Sequence, residues 1–169
     1  MDMKRNVLKI SSAALGLITL SCVCIYQGVK NYLRLVEKLD KDIYIRDIKQ
    51  QTLKQWIHAA GKGKFIDDYL LSQGIDTISI YGWNDMGRLL CEHLMNRGKV
   101  KIKYIVDRNA GKRYNLPDNY PRLYSPKSDL EEVKMLIVTP VMNLDEIREA
   151  MKMLCDCEII PLYKLIFYI

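Results

Sequence analysis

The residues with the clearest chemical potential form the segment GWNDMGR, from Gly82 to Arg88. A β-branched run precedes it and a helical pattern follows it, which is the setting in which a GxGxxG loop holds a pyrophosphate. Gly82 matches the first glycine, which permits the tight turn, and Gly87 matches the third, which lets the helix pack closely on the strand. Asn84 replaces the middle glycine, where the backbone must approach the phosphate. The segment therefore predicts a Rossmann-type turn, and Asn84 argues against NAD(P) as its ligand.

Two charged side chains lie at the start of the helix that follows this turn. Asp85 suits the free N–H groups and the dipole at a helix N-terminus, but it competes with an anionic ligand for the same position. Arg88, one turn further on, could offset that negative charge. We therefore expect any phosphate to bind weakly at this turn.

Two further residues are predicted to share one edge of the sheet with the turn. Asp107 ends the second predicted strand, near the offset of about 20 residues at which an acid accepts hydrogen bonds from ribose hydroxyls. Thr139 ends another apolar strand, and Pro140 after it disfavours helical geometry at Thr139 and could expose its hydroxyl. Because ligands of open α/β sheets bind over the carboxyl ends of the strands, we predict a pocket there. The alternative is that these residues only build the sheet. The predicted lining is Gly82, Asn84, Gly87, Arg88, Asp107 and Thr139.

No arrangement of residues predicts a catalytic centre. His58 and His93 fall on separate predicted helices, and no Ser or Cys stands in a strand–helix turn of the kind that presents a nucleophile. Cys155 and Cys157 could form a redox pair, but no positive neighbour would favour a thiolate. The five cysteines have no spacing typical of zinc, which favours buried thiols in a reducing compartment. We expect no catalytic residue and no metal site.

The apolar pattern predicts alternating strands and helices after residue 75. A loop rich in Asn, Gly, Pro and Asp covers residues 109–121. Helices that connect strands imply crossover connections, so we predict an α/β fold with a Rossmann-like parallel sheet flanked by helices. A brief helical turn is predicted over residues 128–132, and Asn143 is predicted to cap a helix that ends at Leu154. The five predicted strands are residues 77–82, 100–106, 122–124, 135–139 and 158–162.

The N-terminal part predicts a membrane anchor. No charged residue lies between Ile10 and Val29, a length that matches the roughly 20 residues a helix needs to cross a bilayer. No small-x-small cleavage site follows, which favours an uncleaved anchor with membrane lipid as its partner. Basic residues flank both ends, so the positive-inside rule does not choose an orientation cleanly. We expect a single-pass protein of a bacterial cell membrane with its soluble domain in the cytoplasm, where nucleotides are found.

The segment between the anchor and the sheet is predicted to be helical. Tyr32, Val36 and Leu39 recur at helical spacing, and Gly61 and Gly63 break the pattern before a second helix. We therefore divide the chain into an N-terminal membrane anchor at residues 1–30, a helical stalk at residues 31–74 and a Rossmann-like domain at residues 75–169. The net charge is +6, but the sequence contains no run of five or more like charges. We therefore expect no nucleic acid partner.

Several motifs carry a resemblance to known proteins. The strings GKFIDDYLLSQGIDTISIYGWNDMGRLLCEHL, VKIKYIVDRNAG, MLIVTPVMNLDEIREAM and CEIIPLYKLI resemble bacterial Rossmann-like nucleotide-binding domains of capsular and exopolysaccharide synthesis, which sometimes occur beside glycosyltransferases. The resemblance covers most of the soluble part, roughly residues 53–166. It implies that Gly82, Gly87, Asp107 and Thr139 line a nucleotide or nucleotide-sugar pocket, and that a glycan-biosynthesis enzyme is a partner. It carries over no catalytic residue.

Three functions follow from these observations. The first is a membrane-anchored binding or regulatory module in surface polysaccharide biosynthesis, with a nucleotide or nucleotide-sugar pocket. The second is an NAD(P)-dependent or nucleotide-sugar-modifying enzyme, or part of one. The third is a structural docking shell whose pocket is vestigial. A bound nucleotide in an ordered carboxyl-edge pocket would favour the first two, and a filled pocket beside an exposed apolar patch would favour the third.

Overall fold

The structure, a computed structural model, describes residues 2–111 and 116–169, with side chains described from residue 21 onward. The chain divides into two compact units, Met1–Tyr44 and Ile45–Ile169. Helix α1 runs from Asp2 to Gly61, and the short helix α2 covers Ile66–Ser72. The predicted glycine break between the two helices is confirmed, since the chain turns at Gly63 with a φ of 72°.

The predicted membrane anchor stays a prediction. In the part of the chain that the structure describes, no helix contains a stretch long and apolar enough to span a membrane. The segment from Ile10 to Val29 begins among residues 1–20, whose side chains lie outside the described residues.

The C-terminal unit is a three-layer α/β fold. Its five strands form one sheet in the order β3-β2-β1-β4-β5, and all of the paired neighbours are parallel. The predicted Rossmann-like parallel sheet is therefore confirmed. The elements are β1 Thr77–Tyr81, α3 Asp85–Arg97, β2 Lys101–Val106, β3 Arg122–Tyr124, β4 Met135–Val138, α4 Leu144–Lys152, β5 Glu158–Pro161, α5 Leu162–Leu165 and a 3-10 turn Ile166–Tyr168.

The sheet buries apolar side chains on both faces, as a parallel sheet covered by helices requires. Strand β1 shows the alternation, because Ile78 and Ile80 belong to one core cluster and Tyr81 to the other. The first cluster includes side chains from α1, α2, α3 and α5, and the second contains Ile147 and Met151 of α4. Helices on opposite faces thus hold the strand ends in place.

Two local predictions were wrong. Residues 128–132 form no helical turn, because the carbonyls of Glu131 and Glu132 accept hydrogen bonds from the Tyr104 hydroxyl and the Lys103 ammonium of β2. Helix α4 ends at Lys152, before the predicted Leu154. Asn143 does stand at the N-cap of α4, but its φ is 60° and its side chain makes no capping hydrogen bond.

Candidate functional site

Three of the predicted site residues meet at the carboxyl ends of neighbouring strands. Gly82, Asp107 and Thr139 follow β1, β2 and β4, which pair side by side. The Gly82 N–H donates to the Val106 carbonyl at 2.7 Å, and the Thr139 N–H donates to the Tyr81 carbonyl at 2.9 Å. The predicted convergence of these residues at one edge of the sheet is confirmed.

The two glycines of the turn are required by its geometry. Gly82 has a φ of 101°, in the left-handed region that favours glycine, and a Cβ there would lie 2.6 Å from Thr139 Oγ1. At Gly87 a Cβ would lie only 2.0 Å from the Gly82 carbonyl oxygen. Helix α3 therefore packs directly on the end of β1, as in the first and third positions of a Rossmann turn.

Asn84 caps helix α3. Its Oδ1 accepts hydrogen bonds from the backbone N–H groups of Met86 at 3.0 Å and Gly87 at 3.1 Å. In a phosphate-binding turn, such N–H groups point at the anion. Asn84 therefore occupies two of the N–H donors that a phosphate would use at this helix.

Asp107 joins the turn after β1 to the turn after β2. Its Oδ2 accepts from the Trp83 N–H and its Oδ1 from the Asn109 N–H, each at 2.7 Å. A carboxylate oxygen can accept more than one hydrogen bond, so Asp107 retains capacity for a hydroxyl of a ligand. Its first role is to hold the two loops that border the cleft.

The cleft over this edge of the sheet is not lined by three of the predicted residues, Gly87, Thr139 and Arg88. Thr139 is only 4% exposed, and its hydroxyl lies 2.9 Å from the carbonyl oxygen of Gly82 and 3.1 Å from that of Tyr81. The expectation that Pro140 exposes this hydroxyl was wrong, because the hydroxyl binds the strand carbonyls. Arg88 is exposed, with its guanidinium carbon 5.8 Å from the centre of the Trp83 ring, and it does not line the cleft.

A cleft of about 280 Å³ lies over this edge of the sheet. Besides Asn84 and Asp107, its polar lining includes Arg108 and Asn109 from the loop after β2 and Asn143 from the start of α4. None of Arg108, Asn109 and Asn143 was predicted as a site residue, although Arg108 and Asn109 directly follow Asp107 in the sequence and Asn143 was predicted as a helix cap. The remaining lining residues are Tyr81, Gly82, Asn84, Asp107, Pro140, Met142 and Ile147.

Arg108 supplies the positive charge of the cleft. A side-chain hydrogen bond with Tyr81, helped by the charge of Glu146, raises the pKa of Arg108. The guanidinium lies 3.6 Å from the Glu146 carboxylate, and both side chains are more than half exposed. An exposed pair at this distance contributes little, so Arg108 is free to exchange Glu146 for an anionic ligand.

No His, Cys, Ser or Lys is among the described residues that line the cleft. Asp107 is the only carboxylate among them, and each of its oxygens already accepts one backbone hydrogen bond. His93 packs instead against Trp56 and Phe65, with ring centres 5.3 and 6.2 Å away, and burial lowers the pKa of His93. Among the side chains that the structure describes, residues 21–111 and 116–169, no group of three or more His, Cys, Asp or Glu could hold a metal ion.

A larger and more open depression of about 590 Å³ lies at the opposite edge of the sheet. The C-terminal end of α3, the start of β2 and residues 119–121 line it, so it lies at the amino ends of the strands. Ligands of open parallel sheets bind at the carboxyl ends, where strand-end loops and helix N-termini converge. The smaller carboxyl-edge cleft is therefore the candidate site. No family model, curated protein or solved structure matches the chain.

Proposed function

We propose that the protein is a membrane-anchored binding module whose carboxyl-edge cleft holds a nucleotide-type ligand weakly and does not turn it over. The observation that carries this proposal is the position of Arg108 beside Asn109 and Asn143 at the carboxyl edge. A guanidinium recognises phosphate through paired N–H donors, and side-chain amides can donate to or accept from sugar hydroxyls. This set of groups suits a phosphorylated sugar or a nucleotide sugar.

The size of the cleft favours a small ligand. Ligand pockets occupy about 300–1,000 Å³, and this cleft of about 280 Å³ lies just below that range. One phosphate with its sugar fits such a space more readily than a complete dinucleotide. Together with the capped N–H groups of α3, the size argues against NAD(P) and for one end of a nucleotide sugar.

The cellular role in this proposal comes from the sequence. The resemblance to domains of capsular and exopolysaccharide synthesis suggests a regulatory or binding role beside a glycan-biosynthesis enzyme. The segment Ile10–Val29 would anchor the protein in the membrane, with the α/β unit on the cytoplasmic side. Nucleotide sugars are available on that side, which makes the proposed ligand and location consistent.

Calorimetry on the full-length chain in mild detergent tests the proposal. We expect a UDP-sugar to bind with a Kd of about 0.1–1 mM, which corresponds to roughly −4 to −5.5 kcal/mol. Arg108→Gln should weaken binding about tenfold, because it removes a charge-assisted hydrogen bond. Arg88→Gln is the matched control, since Arg88 is also exposed but lies outside the cleft lining. Equal loss of binding in both variants would contradict the assignment of the cleft.

The same experiment separates the alternatives. Sub-micromolar binding of NAD(H) or NADP(H), or turnover of any ligand, would favour the enzyme. The docking shell is favoured by one observation, namely that Asn84 and Asp107 already use backbone donors a ligand would need. Absence of binding by wild type and by Asn84→Gly, which frees two N–H groups, would make the docking shell the better account.

A further inference from the structure

One side of α1 carries an uninterrupted apolar repeat. Its residues are separated by four and three positions in alternation, which is the spacing that keeps a stripe of side chains facing a partner helix in a coiled coil. We call this set the 25–43 stripe. Its members are Ile25, Val29, Tyr32, Val36, Leu39 and Ile43.

The 25–43 stripe is exposed within its own unit. Five of its six side chains are more than half exposed, from 51% at Leu39 to 66% at Ile25, and Val36 is intermediate. Burying an aliphatic side chain removes roughly 60–120 Å² of apolar surface from water. Outside the proposed anchor Ile10–Val29, the stripe has four members, Tyr32, Val36, Leu39 and Ile43. Two copies of these four would bury roughly 500–1,000 Å², which reaches the ~1,000 Å² expected of a specific interface, and Ile25 and Val29 would continue the pairing into the anchor.

The charges on the same helix favour a protein partner over lipid. The charged residues from Lys30 to Asp42 all lie off the stripe and carry both signs, and Lys41 pairs with Glu37 at 2.7 Å. A helix that lies on a membrane instead has a polar face rich in Lys and Arg. Exposed Tyr26, Leu33 and Leu35 widen the apolar face in its N-terminal half. From Glu37 to Asp42 mixed charges flank the stripe, which is typical of a coiled coil with solvated flanks.

We propose that two copies of this chain pair through the 25–43 stripe as a parallel, in-register coiled coil. In heptad notation, Val29, Val36 and Ile43 occupy position a, and Ile25, Tyr32 and Leu39 occupy position d. β-Branched residues at a, as here, favour two parallel strands when leucine stands at d, and here one of the three d residues, Leu39, is leucine. Each stripe would face its own copy, as the twofold symmetry of most homodimers requires.

The chain contains a native reporter of this register. Cys22 occupies the next position a before Val29, whereas Cys24 occupies a flanking position c, and both are exposed. In a parallel, in-register pair the two Cys22 side chains lie opposite each other, and the two Cys24 side chains point apart. Oxidation with copper phenanthroline removes two protons and two electrons from facing thiols, reduces the Cu(II), and joins the two chains by a disulfide.

Cross-linking of the full-length chain in mild detergent provides the test. Wild type and Cys24→Ser should give a covalent dimer, and Cys22→Ser should lose at least nine-tenths of it. Equal cross-linking through either cysteine, or none while light scattering shows a dimer, would overturn the parallel register.

A second pair of variants tests the stripe itself. By light scattering in detergent at micromolar concentration, Leu39→Lys should convert dimer to monomer. Lys38→Ala, on the flank one residue earlier, should remain a dimer. A wild type that stays monomeric in detergent would overturn the pairing. Co-purification of a different protein in equal amount, with no self-association, would also overturn it.

Discussion

Replacing Gly87 by alanine should destabilise the α/β unit through a single contact. The added Cβ would lie 2.0 Å from the Gly82 carbonyl oxygen, whereas ordinary contacts of this kind begin near 3.4 Å. Helix α3 must therefore recede by about 1 Å or more from the end of β1. Overpacking of this kind costs about 1–3 kcal/mol, and disturbing the Asn84 cap adds about 1 kcal/mol. We expect the free energy of unfolding to fall by roughly 2–4 kcal/mol.

Urea unfolding followed by tryptophan fluorescence measures this loss, because Trp56 and Trp83 are both buried in the α/β unit. Gly61→Ala is the matched control, since it makes the same change at a helical glycine where a Cβ would meet nothing within 4 Å. That control should be neutral or stabilising by up to about 1 kcal/mol. If the two variants unfold at the same urea concentration with unchanged slopes, the close approach of α3 to β1 is not as described.

Three further measurements address the rest of this unit. Asp67→Asn should cost about 3 kcal/mol in urea unfolding, because the buried Asp67 carboxylate accepts from Arg97 at 2.6 Å. Asp68→Asn, at a partly exposed pair, should cost much less, and equal losses would contradict the difference in burial. Burial lowers the pKa of His93 below 6.5, so the unfolded chain binds the proton more readily, and stability should fall as the pH drops below about 6.5. His93→Phe should flatten this dependence in thermal melts, and an unchanged slope would show that His93 does not titrate on unfolding. Burial raises the pKa of Cys91 to about 11, so maleimide should modify this thiol only on unfolding, whereas the exposed Cys22 and Cys24 react in the native protein. Rapid labelling of the Cys91 peptide in native protein, located by mass spectrometry, would contradict its burial.

Sequence periodicity was sufficient for the architecture of the α/β unit. The β-branched and apolar runs of β1, β2 and β4 are short, buried on both faces and separated by helical patterns, which indicates a parallel sheet. Gly82 and Gly87 could be placed in the turn because their roles depend on backbone space alone. The region at residues 128–132 was mispredicted because its carbonyls bind side chains of β2, a tertiary interaction that no local pattern contains.

The candidate site was harder to predict than the fold. The strand ends were placed correctly, but the direction of a side chain depends on which hydrogen bonds it finds nearby. Thr139 turned to strand carbonyls and Arg88 lies over an indole ring, whereas Arg108 reached the cleft from a loop. Arg108 and Asn143 line the same cleft because the tertiary fold places the start of α4 beside the loop after β2.

The two edge strands of the sheet, β3 and β5, determine how well the α/β unit resists aggregation at high concentration. Strand β3 has only three residues, begins with the exposed Arg122, and lies at one margin of the sheet. Strand β5, at the other margin, begins with the exposed Glu158 and ends with Pro161, which has no N–H to donate. Edge strands that are short, carry charged residues or end in proline pair poorly with strands of another molecule. The sheet is thereby protected against edge-to-edge aggregation, a hazard of any open parallel sheet.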